Sequence, residues 1–484
     1  LLKSMKRELL SNSFIYIVGN IITKGLSIML LPIYTEYITA EDYGLFDLIF
    51  IASNIVNILL TFEISIAIAR FYQSSSDIDR REYVSTAFIF ILFTYTCFLT
   101  FALFFSKELT LLIFNGDNFK YFSIACFVVF TNGIFYFIQG ILKWEIKPLY
   151  NIITSMVNAL CIAIIAIPLL LCGFELFSLL IAQILANATS IILAFYYSRN
   201  NYSMLFNFCK FKELIKFSYP FVFSSISIFI ANSIDRVAIG NLLGLKELGI
   251  YSIAYRFASV VSLVMVGFQW AIMPLVSKYY KDQKTKKDIS IIFSFFSICA
   301  IFIVCASILF SNDILFIFVK NDFYESAKFV PWLVMVMFFS TIYVFFPGIF
   351  LSQKTVYTFI ITLIAAVLNT SLNYVLIPYY GLYGSVFSTL VSSFLGAYLY
   401  GFISIKLYRV TYSVVRKICV LLFIIFASYF LRNFFYEISL SNFIIKCIFA
   451  LFLFFTITLL ITNKEEKILL KLFYDKVRSK MSTR

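Results

Sequence analysis

Lys24, Glu63, Asp235, Arg236 and Arg256 are ionisable, and each lies inside or at the end of an apolar run long enough to cross a bilayer. Charge in such a run is costly. It is kept where it pairs, lines an aqueous path or meets a charged ligand. Helical rise puts Lys24 ~18 Å into the first run, near its middle. Asp235 and Arg236 fall near the far end of the seventh run, and Arg256 falls ~10 Å into the eighth. Glu63 and Arg70 are seven residues apart and share one face of the second run. Three cations against two acids suit an anionic headgroup better than a cationic cargo. Each has a plainer reading as well. The two arginines can snorkel to an interface, Asp235 can neutralise a neighbouring arginine, and Glu63 can form a structural ion pair. Lys24 is too deep to snorkel easily, and an ammonium meets phosphate oxygens as a point charge. Gln269 heads a set of uncharged polar residues in the runs, with Asn20, Asn57, Gln139, Asn158, Gln183, Asn187, Asn232, Asn369 and Asn373. These can bind sugar hydroxyls, although hydrogen bonding between helices is the better account of any one of them.

Several chemistries are excluded. The chain has no histidine, which removes the usual zinc ligand, the usual proton relay near neutral pH and the base of a Ser-His-Asp triad. Its nine cysteines form no C-x-x-C pair and sit mostly in apolar runs, as small filler. An enzyme is therefore not expected, and neither is a metal or a prosthetic group.

The elements that must position these residues follow from composition. Hydrophobic residues make up 62% of the 484 positions and charged residues 13%. A soluble domain would be near half apolar and a quarter charged. A transmembrane helix needs about 20 mostly apolar residues, and fourteen candidate spans meet that need: 12–33, 44–69, 84–106, 119–142, 150–171, 175–197, 217–240, 249–275, 289–310, 327–350, 356–377, 382–405, 417–431 and 443–461. The thirteenth is left short by Arg416, Lys417 and Arg432. The expected fold is an all-α polytopic membrane protein. No small-residue cleavage site follows the first run, so it reads as a retained helix.

The net charge of +14 lies mostly in short links between the runs. Positive-inside topology explains it better than nucleic acid does. With the N-terminus cytoplasmic, the inner links carry most of the Lys and Arg, as does the tail from Lys464 to Arg484. The opposite side holds Lys107, Lys120, Lys246, Lys320, Lys328, Arg432 and Lys446. Both termini are accordingly expected in the cytoplasm.

The chain also repeats. FIQGILKWEIKPLY at 137–150 resembles FFPGIFLSQKTVY at 345–357, and AEDYGLFDL at 40–48 resembles LKELGIYSI at 245–253, which sets Gly44 on Gly249. The offset of about 205–210 spans six helices. An even number keeps the two halves in one orientation, as in a parallel transporter repeat. The expected organisation is a six-helix lobe at 1–200, a second at 201–410, and an extra helix pair with a basic tail at 411–484.

LLPIYTEYITAEDYGLFDL at 30–48 and NSIDRVAIGNLLGLKELGIYSIAYRF at 232–257 resemble the Wzx-type oligosaccharide flippases of the multidrug/oligosaccharidyl-lipid/polysaccharide exporter superfamily. That resemblance covers essentially the whole chain. It implies two six-helix lobes around a cationic cavity, alternating access, and an undecaprenyl-pyrophosphate-linked oligosaccharide as cargo. Such cargo serves surface polysaccharides such as the O-antigen of lipopolysaccharide. The resemblance also implies a bacterial cytoplasmic membrane location and membrane lipids as partners, with other polysaccharide-assembly membrane proteins as candidates. Drive by a proton gradient, a sodium gradient or the membrane potential stays open. Lys24, Arg236, Arg256, Glu63, Asp235 and Gln269 become the expected substrate-binding set. The extra helix pair is similar to that of lipid II flippases, and a multidrug exporter shares the fold. A membrane polysaccharide polymerase fits less well, because no large outer loop is found.

Overall fold

In hydrocarbon the backbone must satisfy its own hydrogen bonds, so long apolar runs become helices or closed barrels. In the computed structural model, every regular element among the described residues is helical. These residues are 2–462, apart from 73–74, 115–118, 146, 204, 281, 353, 355 and 436–438. The expected basic tail, Lys464 to Arg484, lies outside them. The elements are α1 (Leu2–Met29), α2 (Leu31–Tyr37), α3 (Ala40–Thr61), α4 (Ile64–Tyr72), α5 (Asp77–Phe104), α6 (Ser106–Phe114), α7 (Phe119–Trp144), α8 (Pro148–Leu171), α9 (Glu175–Ser198) and α10 (Phe208–Leu242). They continue with α11 (Leu245–Ser259), α12 (Ser262–Tyr279), α13 (Gln283–Phe318), α14 (Val330–Thr341), α15 (Gly348–Leu351), α16 (Val356–Tyr380), α17 (Leu382–Leu407), α18 (Val414–Phe434) and α19 (Leu440–Ile461). By length and composition, 14 stretches among the described residues can cross a membrane, the number expected.

Local chemistry sets the ends. The side chains of Thr39, Ser76, Asn207 and Ser439 accept from the first free amides of α3, α5, α10 and α19. Pro148 opens α8, where its missing N–H costs nothing.

Several spans differ from expectation; the first, eighth and tenth are each divided, between α1 and α2, α11 and α12, and α14 and α15. The second is broken, because Phe62 and Glu63 both take positive φ (48° and 53°) and separate α3 from α4. The ninth runs on to Phe318, so Asn312 and Asp313 lie inside a helix rather than in a link. The thirteenth is not short. α18 has 21 residues and keeps Lys417 and Arg432 buried within it. Lys446, expected at the outer end of its span, is likewise buried in α19.

The chain packs as two compact units. The first holds Leu1–Ile253, Phe318–Phe323 and Thr362–Ser388. In it α7, α8 and α9 pack on one another and α1 lies along α8. One core joins Ile64, Ala67 and Ile68 of α4 to Val84 and Ile91 of α5 and to Phe137 and Ile138 of α7. Asn158 and Gln183 both donate to Asn187 Oδ1, at 3.0 Å, and Asn187 donates to Thr131. Gln139 donates to Ser155 and Tyr95 to Asn57. For Asn57, Gln139, Asn158 and Asn187, hydrogen bonding between helices is what the structure shows, whereas Gln183 bonds within α9. α10 is tied into this unit near its start. Lys210 Nζ lies 2.5 Å from Asp79 and 2.9 Å from Glu82 of α5, and Tyr83 donates to Glu213.

The second unit holds Ala254–Ile317, Tyr324–Ile361 and Thr389–Arg484. Here α13 meets both helices of the C-terminal pair through Ile301, Cys305, Ile424, Leu453 and Ile457. Polar contacts fix the register. Lys446 Nζ is 2.7 Å from Asp313 Oδ2, with the side chains 2% and 5% exposed. Arg432 donates to Asn312 Oδ1 at 2.7 Å, and Ser428 to Cys305.

Candidate functional site

α3 and α11 both start with an acid-bearing turn, and each carries a glycine one turn in, Gly44 and Gly249. The helices cross there, backbone against backbone. A Cβ at Gly44 would lie 1.9 Å from Leu245 O and 3.0 Å from Gly249 N, and one at Gly249 would lie 1.9 Å from Ala40 O and 3.1 Å from Gly44 N. The two glycines are counterparts in the sequence repeat. The contacts on one helix therefore mirror those on the other, as around a local two-fold axis. Only glycine allows so close an approach.

One turn beyond the crossing lies a charged cluster. Asp47 of α3 accepts from Ser252 Oγ of α11 at 2.8 Å. Its Oδ2 also faces Arg236 Nη1 of α10 at 3.5 Å, with the side chains 15% and 14% exposed. Arg236 Nη2 donates to Asn232 O at 3.2 Å. Asp235, 2% exposed, accepts from Tyr251 OH at 2.6 Å and from the Arg236 amide at 2.8 Å. Two carboxylates, one guanidinium and two hydroxyls thus bind three helices together, each ~10 Å from the helix end nearest the crossing.

Asp235 and Arg236 belong to the expected set, but the ion partner of Arg236 is Asp47, which lies outside that set. Asp47 stood at the start of the expected span 44–69, where an acid reads as interfacial. The missed signal was the repeat itself, because the offset of Gly44 to Gly249 also carries Asp47 onto Ser252.

The other expected residues lie elsewhere. Lys24 is half-buried in α1, next in sequence to residues lining a cavity of about 320 Å³. Thr23, Gly25 and Leu26 face Met156 and Leu160 of α8 across it. Arg256 is one turn past Ser252 in α11 and half-buried. Gln269 is exposed on α12. Glu63 sits at the break between α3 and α4, sixteen residues and ~24 Å of helix from Asp47. It makes no ion pair with a described residue, so the structural pairing considered for it is not found.

Fourteen candidate membrane spans among the described residues, with charged clusters joining helices of both sequence halves, have the form of a polytopic membrane protein. Comparison with known proteins narrows the class. The solved structure of the lipid II flippase MurJ, in an inward closed conformation, superposes with a TM-score of 0.68 at 15% identity, covering 92% of this chain and 98% of that one. An uncharacterized membrane protein of Methanocaldococcus jannaschii is 23% identical over 411 residues, 80% of this chain and 95% of its own. The succinoglycan biosynthesis transport protein ExoT of Rhizobium meliloti is 34% identical over 137 residues, 28% of this chain and 27% of its own.

Residues 9–280 match the polysaccharide biosynthesis protein family, and residues 220–375 match the MatE family. The chain belongs to the polysaccharide biosynthesis protein family, within the multidrug/oligosaccharidyl-lipid/polysaccharide exporter superfamily of flippases and transporters.

Proposed function

We propose that this protein flips an undecaprenyl-pyrophosphate-linked oligosaccharide from the cytoplasmic to the outer leaflet of a bacterial cytoplasmic membrane, for surface polysaccharide synthesis. The family match over residues 9–280 carries the proposal. Similarity to the succinoglycan transport protein agrees with it, as does the excess of cations over acids among the charged residues of the spans. The lobes are those of the sequence repeat, 1–200 and 201–410, and transport is by alternating access with both termini in the cytoplasm. Lys24 contacts the pyrophosphate. The Gly44–Gly249 crossing and the Asp47–Arg236 pair form the outer gate. An arriving pyrophosphate competes with Asp47 for Arg236, and this couples cargo to opening. Arg256, Asp235 and Gln269 complete the polar path. Movement is driven by an ion gradient or by the membrane potential.

The test is the lipid-linked intermediate that builds up in cells lacking the protein. Undecaprenyl-pyrophosphate-oligosaccharide facing the cytoplasm is the expected product. A second reading, a lipid II flippase, is favoured by the C-terminal helix pair docked on α13. Accumulation of lipid II instead would select it and overturn the first.

A further inference from the structure

Two helices of the second unit begin with charge of the unfavourable sign. α13 opens QKTKKD and α18 opens VVRK, so Lys286, Lys287, Arg416 and Lys417 stand at or just past a helix start. The amide end of a helix is already positive, and cations there raise the energy. The two ends also meet. Ser290 Oγ of α13 donates to Thr411 O, just ahead of α18, at 2.7 Å. Lys286 Nζ lies 5.1 Å from the centre of the Tyr408 ring, and Lys417 Nζ lies 4.8 Å from that of Phe293.

The junction between α17 and α18 adds to the excess. From Lys406 to Lys417 it reads KLYRVTYSVVRK, with four cations and no acid. Two acids, Asp282 and Asp288, flank the lysines of α13. Lys286, Lys287, Lys406 and Arg409 make no ion pair with any described residue. The end of the chain does not offset them. Residues 463–484 hold seven Lys and Arg against three Asp and Glu, a charge of the same sign.

An apolar strip lies beside these cations. Tyr398 and Phe402 are exposed on α17 and stack with ring centres 6.1 Å apart. Lys406 Nζ sits 4.2 Å from the centre of the Phe402 ring. Val415 is 77% exposed in the first turn of α18. The surface therefore asks for a ligand with an anionic head and hydrocarbon next to it. A free anion would leave the strip bare, and an anionic phospholipid covers both parts. Basic pockets between transmembrane helices take such headgroups.

We propose that the start of α13 and the α17–α18 junction form a site for an anionic phospholipid. Lys286, Lys287, Lys406 and Arg409 supply the positive charge for its phosphate, and Tyr398, Phe402 and Val415 support its acyl chains. This lipid is not cargo, so the proposal goes beyond the transport reading. That the site meets the cytoplasmic leaflet rests on the Lys and Arg asymmetry; binding itself does not.

The test uses purified full-length protein, delipidated in detergent and titrated with phosphatidylglycerol or phosphatidylcholine. Bound lipid is counted by native mass spectrometry, and folding is checked by gel filtration and thermal unfolding. Wild type is compared with Lys406→Gln, Arg409→Gln, their double variant and Arg409→Lys. Lys212→Gln with Lys216→Gln, at two exposed positions near the start of α10, removes the same charge elsewhere. Wild type should bind phosphatidylglycerol saturably, more tightly than phosphatidylcholine, and less tightly as salt rises. Each cation removed should weaken binding about fivefold, and the double variant about thirtyfold. Arg409→Lys and the α10 pair should bind as wild type does. Wild-type affinity in the folded double variant, or in both folded singles, would overturn the proposal. So would an equal loss in the α10 pair, which would mark bulk charge, or equal affinity for phosphatidylcholine. Displacement of the lipid by inorganic pyrophosphate at matched ionic strength would assign the cations to cargo and overturn it as well.

Discussion

Adding one methyl group at Gly44 tests the gate most directly. In Gly44→Ala the new Cβ would lie 1.9 Å from Leu245 O, 2.8 Å from Leu245 C and 3.0 Å from Gly249 N. All three are backbone atoms, so no side chain can rotate away. Ordinary contact begins at 3.4 Å, so α3 and α11 must part by about 1.5 Å (3.4 − 1.9). Overpacking of this kind costs about 1–3 kcal/mol. If the crossing exists only with the outer side closed, that energy shifts the closed population about 5–150-fold. Gly249→Ala should act equally, because its Cβ would meet Ala40 O at 1.9 Å. The double variant gives the sharper result. Parting the helices once relieves both clashes, so its effect should fall well short of the sum of the singles. The assay is thermal unfolding of the purified variants, together with labelling of a single cysteine placed beside Asp47 in a cysteine-free background. Each single variant should raise outer-side labelling. Wild-type unfolding and labelling in both singles would refute the crossing, and full additivity would refute the shared contact.

The remaining tests are simpler. Lys24→Ala should abolish export at unchanged protein level and Lys24→Arg should keep part of it; full export by the alanine variant removes Lys24 from the cargo path. Asp313→Asn or Lys446→Met alone should destabilise the fold by about 3–5 kcal/mol, because each strands a buried charge or polar group. Asp313→Leu with Lys446→Met should recover most of that loss in the same unfolding measurement, and two unchanged singles would show the pair to be incidental. Reporter fusions after Asn463 should be active only as cytoplasmic reporters; a periplasmic signal there reverses the topology.

The number of spans and the helical class were legible because hydrocarbon leaves the backbone no other choice. The repeat was legible because Gly44 and Gly249 kept nearly the same offset as the matching segments 137–150 and 345–357. What sequence hid was partnership. A periodic apolar run says that Lys446 or Arg432 lies near a helix end, but not that Asp313 or Asn312 waits on another helix. Their charges argued for links, so the ninth and thirteenth spans were set too short. Asp47 was hidden in the same way, as an acid one turn inside a helix start. The break at Phe62–Glu63 had no sequence signal, because neither residue type favours a left-handed backbone. Tertiary packing imposes it.

Gly44 facing Gly249 and Asp47 facing Ser252 are contacts between a residue and its own counterpart. An isologous dimer places such contacts on its symmetry axis. In a homodimer, an aspartate at that point would face an identical aspartate and be repelled. Joining the two copies in one chain lifts that restriction. One copy can keep the acid while the other offers a hydroxyl to hold it, and Arg236 can then be shared by a single carboxylate. The glycines kept the symmetry that close approach demands, and the neighbouring position could abandon it.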